Sequence, residues 1–189
     1  MKDKFNQEEC YMPIPVKSVN RAKILEYAKS SKDFVQRGYI PQFSFLQTIL
    51  PTEFITEDPV LNTIHTELNT PASGFRIYKM EPNCFYTFHT DIGRPVSINM
   101  VLSEGLDNKT YFRVGKQHDL LFNIIPLEYK LDTYYLLNTQ AYHGAISGPD
   151  DRYVLSITLD FEKVIKDDPM TIFNKYRNWI KSKYINNLS

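Results

Sequence analysis

The residues best able to do chemistry are His89-Thr90-Asp91 and, 52 residues after Asp91, His143. The side chains of His89 and Asp91 share a face wherever the backbone between them is extended, because side-chain direction repeats every two residues. Two imidazoles and one carboxylate on one side of a cation form a facial set that suits Fe(II). Such a set leaves the remaining coordination positions open for an organic co-substrate and O₂. Arg152 follows His143 by nine residues, across the turn Gly148-Pro149-Asp150-Asp151. If the segments on either side are successive strands, the turn carries Arg152 back to the site, where a fixed guanidinium can grip a carboxylate with two hydrogen bonds. The plainer alternatives are a core or surface histidine at 143 and a surface ion pair between Arg152 and Asp150 or Asp151. The combination favours the metal reading, because the pair follows a short strand, the second His lies in a late strand and the Arg opens the last one.

Short strands must therefore position these groups. Eight candidates lie near 75–80, 85–89, 95–102, 109–115, 119–125, 132–138, 141–147 and 152–161, separated by turn signals such as Glu81-Pro82-Asn83, Gly93-Arg94-Pro95 and Gly148-Pro149-Asp150. Eight closely spaced short strands suggest a sandwich or jelly roll. Helices are expected over Arg21–Ser30 with Asn20 as cap, over Pro59–Leu68 after Asp58, and from Pro169 to Tyr184 after Asp168. His65, beside the apolar stripe of the second helix, reads as a partly exposed helical residue, and His118 as a loop residue.

Two strands indicate the direction of the interior. Val96, Ile98, Met100 and Leu102 alternate with Ser97, Asn99 and Val101; Tyr153, Leu155, Ile157, Leu159 and Phe161 alternate with Arg152, Val154, Ser156 and Thr158. The apolar faces are expected against the helices, outside the sheet. The mixed faces then line a pocket, with Arg152, Ser156 and Asn99 pointing into it.

Two stretches resemble the Fe(II)- and 2-oxoglutarate-dependent dioxygenases: Met80-Glu81-Pro82-Asn83-Cys84-Phe85-Tyr86-Thr87-Phe88-His89-Thr90-Asp91, and the run from Asn138 through Ala141-Tyr142-His143-Gly144 to Arg152. The first is most similar to the aspartyl/asparaginyl β-hydroxylase branch, in which a Pro-Gly turn precedes the first metal His by seven residues. Here Pro82 holds that place and Asn83 replaces the Gly, a residue that tolerates the left-handed conformation. The resemblance covers about residues 75–161. It implies a double-stranded β-helix (a cupin-like jelly roll), mainly β with flanking helices packed on one sheet. It implies His89, Asp91 and His143 as Fe(II) ligands, with 2-oxoglutarate and O₂ as co-substrates. It places Arg152 on the distal carboxylate of 2-oxoglutarate and a polar co-substrate contact near Asn99; Ser156 shares the inward parity of Arg152. The animal peptide hydroxylases of this branch lack the acidic ligand that Asp91 supplies here, which points toward the branch's free-amino-acid hydroxylases. For the prime substrate, Arg76 and Tyr78 share a face of the first strand, with a salt bridge and an aromatic core contact as equal alternatives. Arg94 could take a substrate carboxylate or remain a solvated loop residue.

The resemblance implies an oxidoreductase, and composition narrows the rest. The chain of 189 residues reads as one domain: a mixed support region over 1–70, a jelly-roll core over 75–161 and a C-terminal helix over 169–185. Its 22 basic and 22 acidic residues leave no net charge, which argues against broad nucleic-acid binding. The aromatic content of 14% suits pleated, half-buried surfaces. Two cysteines are too few for a disulfide framework or a thiolate metal site; a pair of reduced, buried thiols fits a cytoplasmic protein. The first twenty residues carry charges and prolines where a signal peptide has an apolar run, and no segment nears the roughly 18 apolar residues of a membrane helix, so neither is expected. The resemblance implies a small molecule, an amino acid or a peptide as partner, chosen by loops and terminal helices in which no motif is readable. The competing class is a cupin-like metal module or isomerase without oxygen chemistry; Arg152 discriminates, because such a module needs no carboxylate anchor there.

Overall fold

The first fifty residues supply more strand than their composition suggests. In the computed structural model, which describes residues 6–37, 45–105, 109–114, 123–160 and 168–186, they contain α1 (Gln7–Cys10), β1 (Tyr11–Lys17), α2 (Arg21–Ser30), β2 (Val35–Arg37) and β3 (Phe45–Ile49). Two helices follow, α3 (Thr52–Glu57) and α4 (Pro59–Glu67). The expected strands then appear as β4 (Phe75–Met80), β5 (Phe85–His89), β6 (Val96–Val101), β7 (Lys109–Val114), β8 (Asn123–Leu127), β9 (Thr133–Asn138), β10 (His143–Ile146) and β11 (Arg152–Leu159), and α5 spans Pro169–Tyr184. The strand expected over 119–125 lies later, and part of its range, with His118, falls outside the described residues.

The strands form two antiparallel sheets that make a jelly roll. The larger runs β1-β9-β6-β11-β4-β3-β2 and the smaller β5-β10-β7-β8. Strand alternation assigns the faces. Ile98, Met100, Leu155, Ile157 and Leu159 form one core with Ile24 and Ala28 of α2, Leu61 and Ile64 of α4, and Ile172, Phe173 and Ile180 of α5. The helices thus cover the outer face of the larger sheet. Phe112, Leu127, Tyr135, Leu137 and Ala141 form a smaller core toward the other sheet.

Local chemistry fixes the helix starts. Asp58, fully buried, accepts from the backbone N–H of Val60 and Leu61 and from the hydroxyls of Ser18 and Tyr134. The Asp168 side chain accepts from the Thr171 N–H ahead of α5. Asn20 departs from expectation: its side chain makes no cap bond, and the Asn20 N–H instead donates to Ser18 Oγ. Cys84 also departs, being exposed just ahead of β5, whereas Cys10 is buried. The His65 ring closes onto the carbonyl of Thr70, with Nδ1 2.6 Å away. No described helix is long and apolar enough to cross a membrane.

Candidate metal centre

β10 lies between β5 and β7, and its register sets His143 directly opposite His89 and Phe112. The two imidazole centroids are 4.4 Å apart. Close pairing of the strands needs Gly144, because a Cβ there would stand 2.9 Å from the Tyr86 carbonyl oxygen. β5 ends at His89, so Asp91 is placed by its loop, not by strand parity. Its N–H donates to the Thr139 carbonyl at 3.0 Å, and Gln140 Nε2 donates to the Asp91 carbonyl at 2.7 Å. Thr139 Oγ1 also donates to the Arg94 carbonyl. Gly93, at φ 72°, gives the loop the left-handed residue with which it turns back.

The three side chains converge, with ligand atoms all within 4.8 Å of one another. Asp91 Oδ1 lies 3.4 Å from His89 Nε2 and 3.9 Å from His143 Nε2. Each Nδ1 faces a backbone carbonyl, Thr87 O at 2.8 Å for His89 and Ala141 O at 3.0 Å for His143. A carbonyl only accepts, so Nδ1 carries the proton and Nε2 presents its lone pair inward. Burial pushes the His143 imidazole down to about 4, against the pull of Asp91, so it is neutral near pH 7. Lone pairs and a carboxylate oxygen facing one another repel unless a cation lies among them. The donor set therefore fits a divalent transition metal.

Arg94 completes the electrostatics. Its Nε and Nη2 donate to Asp91 Oδ2 at 2.8 and 2.6 Å, leaving Oδ1 to face the imidazoles. Its Nη1 donates to Ser156 Oγ at 3.0 Å, and Ser156 Oγ donates to Asn99 Oδ1 at 2.7 Å. Burial pushes the Asp91 carboxyl up, but Arg94 and the imidazoles outweigh it and hold the group below the usual carboxylate range. Arg94 is thus engaged with Asp91, and Ser156 braces it.

A cavity of about 140 Å³ opens beside the three groups, lined also by Asn99, Thr110, Tyr129, Val154 and Arg152. Arg152 is 3% exposed. Its Nη2 donates to Thr110 Oγ1 at 2.8 Å and its Nη1 touches Met80 Sδ at 3.6 Å, while Nε has no partner. No carboxylate among the described residues pairs with it. The neighbouring Asp151 is taken by Lys79 at 2.8 Å. Burial depresses the Arg152 pKa, and only Tyr129 opposes this.

Arg76 and Tyr78 stand on the inward face of β4. Arg76 donates to Ser73 O and Gln47 Oε1, and the Tyr78 ring packs edge-on against Phe45 and lies 5.9 Å from the Arg94 guanidinium carbon. Sequence reasoning overlooked Thr110, Tyr129, Thr139 and Gln140. Inward parity on β7 could have marked Thr110; the loop residues carry no such signal.

No known family's sequence profile matches the chain, and no curated protein matches it. Solved structures do. A prolyl hydroxylase of Trichoplax adhaerens, in complex with a hypoxia inducible factor peptide fragment, superposes with a TM-score of 0.57 at 10% identity, over 84% of this chain and 87% of that one. HygX of Streptomyces hygroscopicus, with nickel, 2-oxoglutarate and hygromycin B bound, gives 0.52 at 13% identity, over 83% and 88%. An oxidoreductase of the 2OG-Fe(II) oxygenase family from Burkholderia pseudomallei gives 0.51 at 14%, over 82% and 90%. The chain thus has the jelly-roll fold of the Fe(II)- and 2-oxoglutarate-dependent oxygenases.

Proposed function

We propose that the protein is an Fe(II)- and 2-oxoglutarate-dependent dioxygenase that hydroxylates a C–H bond of an amino acid, peptide or small metabolite. The observation that carries this reading is Arg152: a buried guanidinium without a carboxylate partner among the described residues, in the same small cavity as two lone-pair imidazoles and a carboxylate. Buried charges are normally paired. A dicarboxylate that chelates the metal with one end and meets Arg152 with the other would supply the missing charge. A cupin-like module without oxygen chemistry leaves Arg152 with nothing to hold.

In this reading His89, Asp91 and His143 hold Fe(II), which with 2-oxoglutarate and O₂ supplies oxidative decarboxylation to succinate and CO₂ coupled to hydroxylation. The chain's own residues do the rest. Thr87 O and Ala141 O keep both imidazoles in the Nε2-ligating tautomer. Arg94 occupies Asp91 Oδ2, so that Oδ1 would be the oxygen offered to the metal. Arg152 orients the co-substrate, and Thr110, Tyr129 and Asn99 line the cavity around it. Residues 75–161 form the catalytic core, supported by 1–70 and 169–185. The turn at Pro82-Asn83, with Asn83 at φ 56°, supports kinship with the aspartyl/asparaginyl hydroxylase branch. The Trichoplax neighbour holds a peptide and the Streptomyces one hygromycin B, and either size of substrate suits this reading. The free thiols of Cys10 and Cys84 fit a cytoplasmic location.

An anaerobic titration tests the proposal. Fe(II)-loaded protein should develop a visible charge-transfer band as 2-oxoglutarate chelates, saturating at one equivalent. Absence of the band with iron bound would refute the reading.

A further inference from the structure

The cavity beside Arg152 is small and lies to one side of the three converging groups. β4 and β3 continue the inner wall of the larger sheet into a second, open groove of about 860 Å³, whose lining includes Asp91, Arg94, Tyr78, Phe45, Gln47 and Arg76. The two spaces share Asp91, Arg94, Tyr78 and Phe45, so they adjoin at Asp91; both imidazoles face the smaller one. With the co-substrate in the small cavity, the groove is the space left for the molecule to be oxidised.

Its charges are unevenly engaged. Arg94 is taken up by Asp91 and Ser156. Asp160, at the far end of the groove, is paired with Lys175 at 2.9 Å. Arg76 has only neutral acceptors: its Nε donates to Ser73 O at 3.0 Å, and its Nη1 to Gln47 Oε1 at 3.4 Å. No ion pair forms to Arg76 among the described residues. A guanidinium offers five N–H donors in a fork that matches a carboxylate or phosphate.

Register places this free charge close to the chemistry. Arg76 on β4 lies directly opposite Ser156 on β11, and Ser156 is the residue that braces Arg94. Adjacent strands are about 4.8 Å apart, so the Arg76 side chain leaves its strand one strand spacing from the backbone of the residue that braces the metal centre. The groove itself is long. It reaches from Arg94, at the level of Ser156, to Asp160, four residues along the same chain direction and about 13 Å at the usual strand rise. A free amino acid fills only part of that.

We infer that the prime substrate is an anionic molecule longer than a free amino acid, whose carboxylate or phosphate is held by Arg76 in this groove. The inference rests on the dioxygenase reading and names its substrate class.

The test uses the full chain loaded with Mn(II) and 2-oxoglutarate. The probes are carboxylate- and phosphate-bearing metabolites and short peptides, each matched with its neutral amide or dephosphorylated counterpart. Paramagnetic broadening of probe resonances reports settling near the metal. At least one anionic class should bind about 10- to 100-fold more tightly than its neutral match, and the class that does so identifies the anion. Arg76→Gln should erase that preference while neutral probes bind as they do to wild type, which shows that the groove is intact; Arg76→Lys should restore part of it. The inference is overturned if no anionic probe is preferred over its neutral match, or if the preference survives in Arg76→Gln. Failure of 2-oxoglutarate to bind the wild-type metalloprotein would instead remove the dioxygenase reading, and the substrate assignment with it.

Discussion

Arg152 makes the sharpest demand on this account, because its two expected effects have opposite signs. The side chain is 3% exposed, donates one good hydrogen bond to Thr110 and leaves Nε without a partner. A carboxylate in the cavity would accept two charge-assisted bonds, each worth about 1.5–3 kcal/mol. Deletions of such bonds do not add, so a total near 3 kcal/mol is the reasonable expectation, or about 100-fold in affinity. Calorimetric titration of 2-oxoglutarate into Mn(II)-loaded protein should show that loss in Arg152→Met, a smaller one in Arg152→Lys, and metal affinity close to wild type in both. Stability should move the other way. The ligand-free protein carries a desolvated charge without a counter-charge among the described residues, and apolar replacement removes that penalty. Arg152→Met should therefore melt at or above wild type, higher by roughly 2–4 °C for each kcal/mol gained in a chain of this size. A variant that kept its 2-oxoglutarate affinity and melted well below wild type would refute the reasoning and make Arg152 a structural brace.

Other expectations follow from the surrounding shell. Arg94→Gln should weaken Mn(II) or Co(II) binding by about 10- to 100-fold, the usual cost of losing an outer partner of a metal ligand, because Asp91 Oδ2 loses its two donors; unchanged affinity in a metal titration would remove Arg94 from the centre. Gly144→Ala drives a Cβ to 2.9 Å from the Tyr86 carbonyl, so β10 and β5 must separate; a cost of about 1–3 kcal/mol is expected in denaturant melts, with metal affinity falling too. Ligand-free protein should lose stability as pH falls below about 6.5, because the unfolded chain protonates His143 there whereas the folded chain does so only near 4. The loss should reach about 3 kcal/mol by pH 4, and His143→Gln should flatten the profile over that window; identical slopes would contradict the buried neutral imidazole.

Much of this architecture was legible where period and punctuation agree. Asp58-Pro59 and Asp168-Pro169 mark helix starts that the structure places at the same residues, and the alternation in β6 and β11 correctly sends apolar side chains to the helices. β1 was missed because Pro13 and Pro15 argue against a strand; it is an edge strand, where missing N–H groups cost little. Pro126 sits in β8, the edge of the smaller sheet, for the same reason. His89 and His143 lie on the strands expected to carry them, but the setting of Asp91 and Arg94 was not legible in the same way. It depends on a loop turned by Gly93 and pinned to Thr139 and Gln140, about 45 residues away in sequence. No local pattern encodes such a contact, so the engagement of Arg94 with Asp91 could be seen only in three dimensions.

In the proposed reaction this cavity couples Fe(II) and O₂ to the decarboxylation of 2-oxoglutarate. The most direct measurement is succinate formed by Fe(II)-loaded full-length protein given 2-oxoglutarate and O₂, in the presence of an amino-acid, peptide and metabolite panel. Succinate is expected that requires Fe(II) and O₂ and disappears in His143→Ala. Iron bound at one equivalent with no succinate above that of His143→Ala would contradict it.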